Sequence, residues 1–380
     1  MQAIISVNTL QQVIDLVSRF VSKQTTLPIL QHIYIKFDVD TILLRATDME
    51  KYIDIEVPAN ISSPGTITVD AKIFSEYIKT LEDDKIELIG DEKKNMLTLK
   101  SSSDNIKIKW SAGSEYVGVP EISGNKNTIS AVGLLKWFNK VDFAIVEKNF
   151  PVLQWVLIRT KDYNGTKKMV FTWSDSLRLA DYKINYDGEL DNLNVIIPKT
   201  NINEIKKALE YFINNWGDDC QICLSSNLIA FYMKKEDVDI KIVSLLISGQ
   251  YPEYENEAIM PKSFQTTVLV SKNILEKAIR KINILTRDTN NFIKFDIQQD
   301  KIVCDSTEMD LWQAETTVPA EINGDSGSMN IAINGKFILD VIRILDSNEI
   351  QLNLNWNDKP VVIKDMDDSA FGYVCKTINF

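Results

Sequence analysis

Cys220-Gln-Ile-Cys223 has the spacing of a redox pair or of half a zinc site. A redox pair would open a helix after a strand. Here the neighbours, Asp219 to Leu224, read as a strand, and no second Cys or His pair completes four zinc ligands. The four cysteines (Cys220, Cys223, Cys304, Cys375) therefore read as small buried side chains of a reduced protein. The single histidine, His32, opens an apolar strand and reads as structural. One histidine leaves Ser-His-Asp catalysis and His-ligated metals without material. Asp365-Met-Asp-Asp368 has the carboxylates for a divalent cation, but they lie in a turn without His support or fixed spacing. A solvated turn is the expectation there. No Walker-type loop occurs, so ATP hydrolysis is not expected. A metal-dependent hydrolase is the enzyme alternative. The residues favour no catalytic site, no cofactor and no metal.

The basic residues are more informative. The chain carries a net charge of −11, which by itself argues against binding nucleic acid. Its lysines and arginines nevertheless gather in helical segments: Arg19 and Lys23, Lys72 and Lys79, Lys136, Lys140 and Lys148. Further along stand Lys199, Lys206 and Lys207, then Lys277, Arg280 and Lys281, then Lys336 and Arg343. Acids dominate the strands and turns. Two readings stay open, mixed solvated helix faces or a single positive surface with an acidic exterior. The second would hold a polyanion by its phosphates, without reading bases.

Six segments show the i, i+3, i+4 apolar spacing of amphipathic helices. The first places Leu10, Val13, Ile14, Val17, Phe20 and Val21 on one face, and the others run near 71–81, 130–148, 200–213, 271–287 and 334–345. Alternating runs such as Ile33–Phe37, Ile106–Lys109 and Ile350–Leu354 predict strands. The chain also repeats. Val69–Leu88 aligns without a gap on Ile333–Leu352, Lys72 falling on Lys336 and Lys79 on Arg343. Thr47-Asp-Met-Glu50, Ser174-Asp175 and Thr307-Glu-Met-Asp310 recur at a domain-sized interval. An α+β fold of three similar domains is expected, at 1–124, 125–256 and 257–380, each with two helices on antiparallel strands. No stretch reaches the ~20 apolar residues of a membrane span. No secretion signal is read at the start, so a cytoplasmic protein is expected.

Seven motifs in order carry a resemblance over the whole length. They are Thr26-Leu-Pro-Ile-Leu30, Ala46-Thr-Asp-Met-Glu50, Pro151-Val-Leu153, Ser174-Asp-Ser-Leu-Arg-Leu-Ala180, Ile197-Pro-Lys199, Gly249-Gln-Tyr-Pro-Glu-Tyr254 and Tyr373-Val-Cys-Lys-Thr-Ile-Asn-Phe380. The chain resembles the bacterial β sliding clamps, the processivity subunits of replicative DNA polymerase. The resemblance implies a head-to-tail homodimeric ring with helices lining the hole, and no catalysis. It implies double-stranded DNA as a non-specific partner, along with the replicative polymerase, an ATP-dependent loader, and repair polymerases and other proteins with a clamp-binding motif. A plain oligomeric scaffold that never meets DNA is the remaining alternative.

Site residues follow by position. The implied partner-peptide pocket comprises Val152, Leu153, Ser174, Ser176, Leu177, Arg178, Leu179, Pro252, Pro360, Val374 and Ile378. Arg178 is expected as a polar clamp on the peptide. Ser176-Leu177 stand where such clamps usually have Gly-His, and Lys376-Thr377 where they often have Met-Pro. The segment after Tyr254 is longer than usual and receives no pocket residue. Where the resembling clamps have an arginine before Thr-Leu-Pro stands Gln24, beside Lys23, and the helical bases named above are expected to face DNA. Ile106 and Ile108 match a first-domain edge strand at the ring seam, and Ile284 and Leu285 its third-domain partner.

Overall fold

The structure is a computed structural model and describes residues 1–144, 155–190, 192–235, 238–286, 291–306, 314–324, 329–355 and 359–378. Val152, Leu153, Lys148 and the Thr307–Asp310 motif lie outside the described residues. The chain forms two compact units, one of residues 1–135 and 200–248, the other of residues 136–199 and 249–380.

The six amphipathic stripes become helices α1 (Val7–Val17), α2 (Ala71–Thr80), α3 (Ala131–Val141), α4 (Lys199–Asn215), α5 (Lys272–Asn283) and α6 (Gly335–Ile342). Leu10, Val13, Ile14 and Val17 of α1 are completely buried, as is Phe20 in the short 3-10 turn that follows. Each such side chain contributes about 1.5–3 kcal/mol by leaving water. The aligned repeat holds at the helix starts. Asp70 caps α2 by accepting the Ile73 N–H at 2.8 Å, and its counterpart Asn334 caps α6 by accepting the Lys336 N–H at 2.9 Å. Such caps are worth about 1 kcal/mol each.

In the first unit a 13-stranded antiparallel sheet runs from Asn127–Ser130 at one end to Asn60–Ser63 at the other. The strands Val238–Leu245 and Lys51–Pro58 pair side by side, Ile242 opposite Ile53. α1 lies beside α2, since Gln11 Nε2 donates to the carbonyls of Ile78 (3.0 Å) and Leu81 (2.9 Å). Its adjacent stripe meets α4, where Tyr211 Oη lies 3.3 Å from Gln12 Oε1 and Arg19 lies 3.9 Å from Glu204.

The second unit repeats this plan. A 12-stranded antiparallel sheet runs from Asn194–Pro198 to Met329–Asn334, and within it Arg178–Asn185 pairs with Phe371–Cys375, Leu179 opposite Val374. α5 and α6 pack together. Lys272 at the start of α5 donates to Leu345 O (2.6 Å), and Lys140 of α3 to Ile344 O (2.9 Å). Strands remote in sequence thus pair across the borders of the expected thirds. The two halves of the middle third therefore belong to different units.

Cys220 and Cys223 are both buried in the strand Asp219–Leu224, and burial pushes the Cys220 thiol up to about 12. His32 opens its strand, and its Nδ1 lies 3.2 Å from Thr68 Oγ1 of the neighbouring strand. Among the described residues no group of three His, Cys, Asp or Glu side chains is placed to hold a metal, and no helix is long and apolar enough to cross a membrane.

Candidate functional site

The loop Ser174–Arg178 is built by its own side chains. Ser174 Oγ donates to Arg178 O (3.0 Å) and accepts the Ser176 N–H (3.2 Å). Asp175 Oδ1 accepts the N–H groups of Leu177 (3.0 Å) and Arg178 (2.9 Å). Short polar side chains favour such turns because they satisfy the backbone locally. Ser176 sits at φ 72°, the left-handed region in which glycine is at ease.

The first unit contains the same loop. Thr47 Oγ1 donates to Lys51 O (2.8 Å), Asp48 Oδ1 accepts from Glu50 and Lys51, and Met49 stands at φ 76°. The motif recurring from Thr47 to Ser174 is therefore one hydrogen-bonded device used twice.

A cavity of about 250 Å³ opens beside the Ser174–Arg178 loop. Ser174, Ser176, Leu177, Arg178 and Leu179 form one side, and Pro360 and Val374 contribute another. Three residues that the sequence reading did not assign also line it: Ala258, Ile259 and Lys376. The first two come from the segment that was too long to align. Asn256 organises it, its Oδ1 accepting the N–H groups of Ala258 and Ile259 at 3.1 Å each. An asparagine followed two positions on by an apolar run is the signal that marks this turn.

The root of the segment is fixed by Glu255, which pairs with Arg159 (2.9 Å), Lys183 (2.7 Å) and Lys161 and accepts from Tyr163. Burial would raise the Glu255 pKa. The hydrogen bonds from Lys161, Lys183 and Tyr163 outweigh it and hold the carboxyl at about 2. Pro252 is exposed and does not line the cavity. Nor does Ile378, whose N–H donates to Ala332 O at 2.8 Å.

Arg178 differs from the clamp expected of it. Its side chain is 1 % exposed. Nε donates to Asp175 (3.0 Å), Nη1 to Asp340 of α6 (2.8 Å), and the guanidinium carbon lies 4.4 Å from the Phe337 ring centre. The guanidinium braces the loop against α6 and presents little surface to a ligand.

The helical bases divide into groups. Lys23, Lys72, Lys277, Lys281, Lys336 and Arg343 are exposed and have no ion pair among the described residues. Arg19, Lys79, Lys136, Lys207 and Arg280 are exposed but lie near acids. Lys199 and Lys206 are half-buried, and Gln24 is exposed.

Lys140 corrects the expectation that it faces DNA. Its side chain is 5 % exposed and lies 3.0 Å from Asp346, 3.7 Å from Asp368 and 3.8 Å from Asp365. The expected solvated turn at Asp365 is corrected with it. That carboxylate is buried, and burial would raise its pKa, but the N–H groups of Asp346, Ser347 and Asp367 with the Ser347 hydroxyl hold it below the usual range.

At the edges, Asn105–Lys109 pairs only with Met96–Lys100 among the described residues, while Trp110–Ala112 of the same strand pairs with Ile67–Val69. Ile106 is 39 % exposed on that half-open edge. Ile284 and Leu285 are not in a strand. They form the turn that closes α5, and Ile284 is 64 % exposed. In the second unit the strand Glu315–Gly324 is also half open: among the described residues its first half pairs only with Lys301–Asp305.

Three family models match the chain in sequence order. They describe the N-terminal domain of the DNA polymerase III beta subunit at residues 1–119, its central domain at 128–253 and its C-terminal domain at 257–378. The Beta sliding clamps of Staphylococcus epidermidis and Staphylococcus aureus (strain Mu50) are similar at 26 % and 25 % identity, over 92 % of each chain. In fold, the DNA polymerase sliding clamp of Caulobacter crescentus superposes with a TM-score of 0.90 at 20 % identity, covering 100 % of both chains. That of Bacillus subtilis gives 0.89 at 23 % identity, covering 100 % of this chain and 99 % of that one. With three domain models spanning nearly every residue and the three-domain α+β clamp fold present, the chain belongs to the DNA polymerase III beta subunit family.

Proposed function

We propose that the chain is a DNA sliding clamp: a non-catalytic ring of two copies that encircles duplex DNA and tethers a replicative polymerase through a short peptide. The supporting observation is the plan that both compact units share. Each sets a pair of packed helices, α1 with α2 or α5 with α6, beside one continuous antiparallel sheet, and the helices carry exposed bases. Exposed ammonium and guanidinium groups on a helix surface suit phosphates and leave the bases unread. Weak contacts of that kind let a duplex slide. The cavity beside Ser174–Arg178, walled by Leu177, Leu179, Ile259, Pro360 and Val374, suits the apolar anchors of a peptide.

The ring would close by strand pairing between copies. Asn105–Lys109 brings Lys107 and Lys109, and Glu315–Pro319 brings Glu315, so two half-open edges of opposite charge are available. The ATP-driven loader and the repair polymerases implied by the resemblance would meet the same ring.

Sedimentation equilibrium tests the assembly. The wild-type chain is expected at twice the chain mass, and Ile106→Asp with Ile108→Asp at the single mass. A wild-type monomer at micromolar concentration would overturn the ring.

A further inference from the structure

We infer that Lys376 makes this pocket select a peptide bearing a carboxylate next to its apolar anchors. The inference rests on the proposal that the cavity is the partner-peptide site. The walls are apolar, so an occupant must bury apolar side chains there. Of the four polar side chains lining the cavity, those of Ser174 and Arg178 are already engaged. The Ser174 hydroxyl is held by Arg178 O and the Ser176 N–H. The Arg178 guanidinium is shared by Asp175 and Asp340, and the three charges together leave one negative. Neither group is available to an incoming side chain.

Lys376 is different. It lines the same cavity, is exposed, and has no ion pair among the described residues. The chain is held at this residue and at the next one. The Lys376 N–H donates to Leu177 O at 2.8 Å, and the Thr377 hydroxyl donates to Lys359 O at 3.3 Å. The ammonium therefore swings from a rigid root at the edge of an apolar cavity. Apolar walls lower the local dielectric and strengthen its attraction for a carboxylate. A neutral side chain at this position would be indifferent to the charge of the peptide. Charge complementarity thus commits the site to an acidic partner segment.

Fluorescence anisotropy on the full chain tests this. The probes are three labelled peptides with identical Leu and Phe anchors and Asp, Asn or Lys at one intervening position. The wild type is expected to bind the Asp peptide about two- to fivefold more tightly than the Asn peptide, and the Lys peptide most weakly. The preference should shrink as salt rises from about 50 to 500 mM. Lys376→Met should lose the Asp preference whatever its absolute affinity for the Asn peptide, and Lys376→Glu should reverse it. Equal binding of the Asp and Asn peptides, or a preference that survives in Lys376→Met, would overturn the inference. Binding of none of the three peptides would bring down the peptide-site reading itself, an outcome distinct from binding without discrimination.

Discussion

Replacing Arg178 by Ala should cost the second compact unit about 3–5 kcal/mol, although the change removes one side chain from the edge of a cavity. The magnitude follows from what is left behind. Arg178 is 1 % exposed at its side chain, and its two partners, Asp175 and Asp340, are each 14 % exposed. Alanine leaves both carboxylates largely out of water without a counter-charge and removes the guanidinium from the Phe337 face. Asp175 still accepts two backbone N–H groups, which places the expected loss nearer 3 kcal/mol. In a unit of this size each kcal/mol moves the melting temperature by about 2–4 °C, so a drop of about 6–12 °C is expected.

Calorimetric melting of four proteins measures it: wild type, Arg178→Ala, Asp340→Asn and the double variant. The double variant should recover about 1–2 kcal/mol relative to Arg178→Ala, because one unpaired charge is gone. Peptide affinity should fall in Arg178→Ala because the Ser174–Arg178 loop loosens. Arg178→Ala melting within about 2 °C of wild type, or no recovery in the double variant, would refute the bracing role.

Ser176→Gly should relieve the left-handed backbone and raise stability by about 0.5–1 kcal/mol, read as a higher melting temperature; a lower one would contradict the φ of 72°. Glu255 has its pKa depressed in the folded state, from 4.5 to about 2. Its contribution of about 2–3 kcal/mol is therefore complete above pH ~4.5 and is lost as pH falls towards 2. Urea midpoints across that window should decline more steeply in wild type than in Glu255→Gln, and parallel curves would dismiss the assignment. Lys140→Met should lower stability yet leave the salt dependence of DNA binding unchanged, because Lys140 is buried among Asp346, Asp365 and Asp368. Lys277→Ala with Lys281→Ala should instead reduce the salt slope by up to about 2, and equal slopes in both variants would count against the division of the bases.

Local features were readable from sequence because local physics sets them. The stripe Leu10, Val13, Ile14, Val17 gave α1, and the aligned runs Val69–Leu88 and Ile333–Leu352 hold α2 and α6. What escaped depended on partners far along the chain. Lys140 stands four residues after Lys136 on a polar helix face, and nothing nearby reveals that Asp346, Asp365 and Asp368 fold over it. Arg178 looked free because Asp340 lies 162 positions away.

Ile284-Leu285, inside the segment 271–287 read as helical, closes that helix. The half-open strand of the second unit escaped for a different reason. The half-open strand itself begins Glu315-Thr-Thr-Val-Pro319, with only Val318 fully buried and a proline that strands usually exclude. Ala258 and Ile259 were missed because an Asn256-centred turn absorbs the extra length of their segment.

Retention on DNA of different topology tests the central claim most directly. The labelled chain is loaded by a clamp loader onto a nicked circular plasmid, passed through a sizing column, and the plasmid is then cut once. A topological ring predicts that the chain travels with the circle, resists salt that removes ordinary DNA-binding proteins, and is released when the circle is cut. Loss from the intact circle at moderate salt, or equal retention on circle and linear duplex, would contradict it.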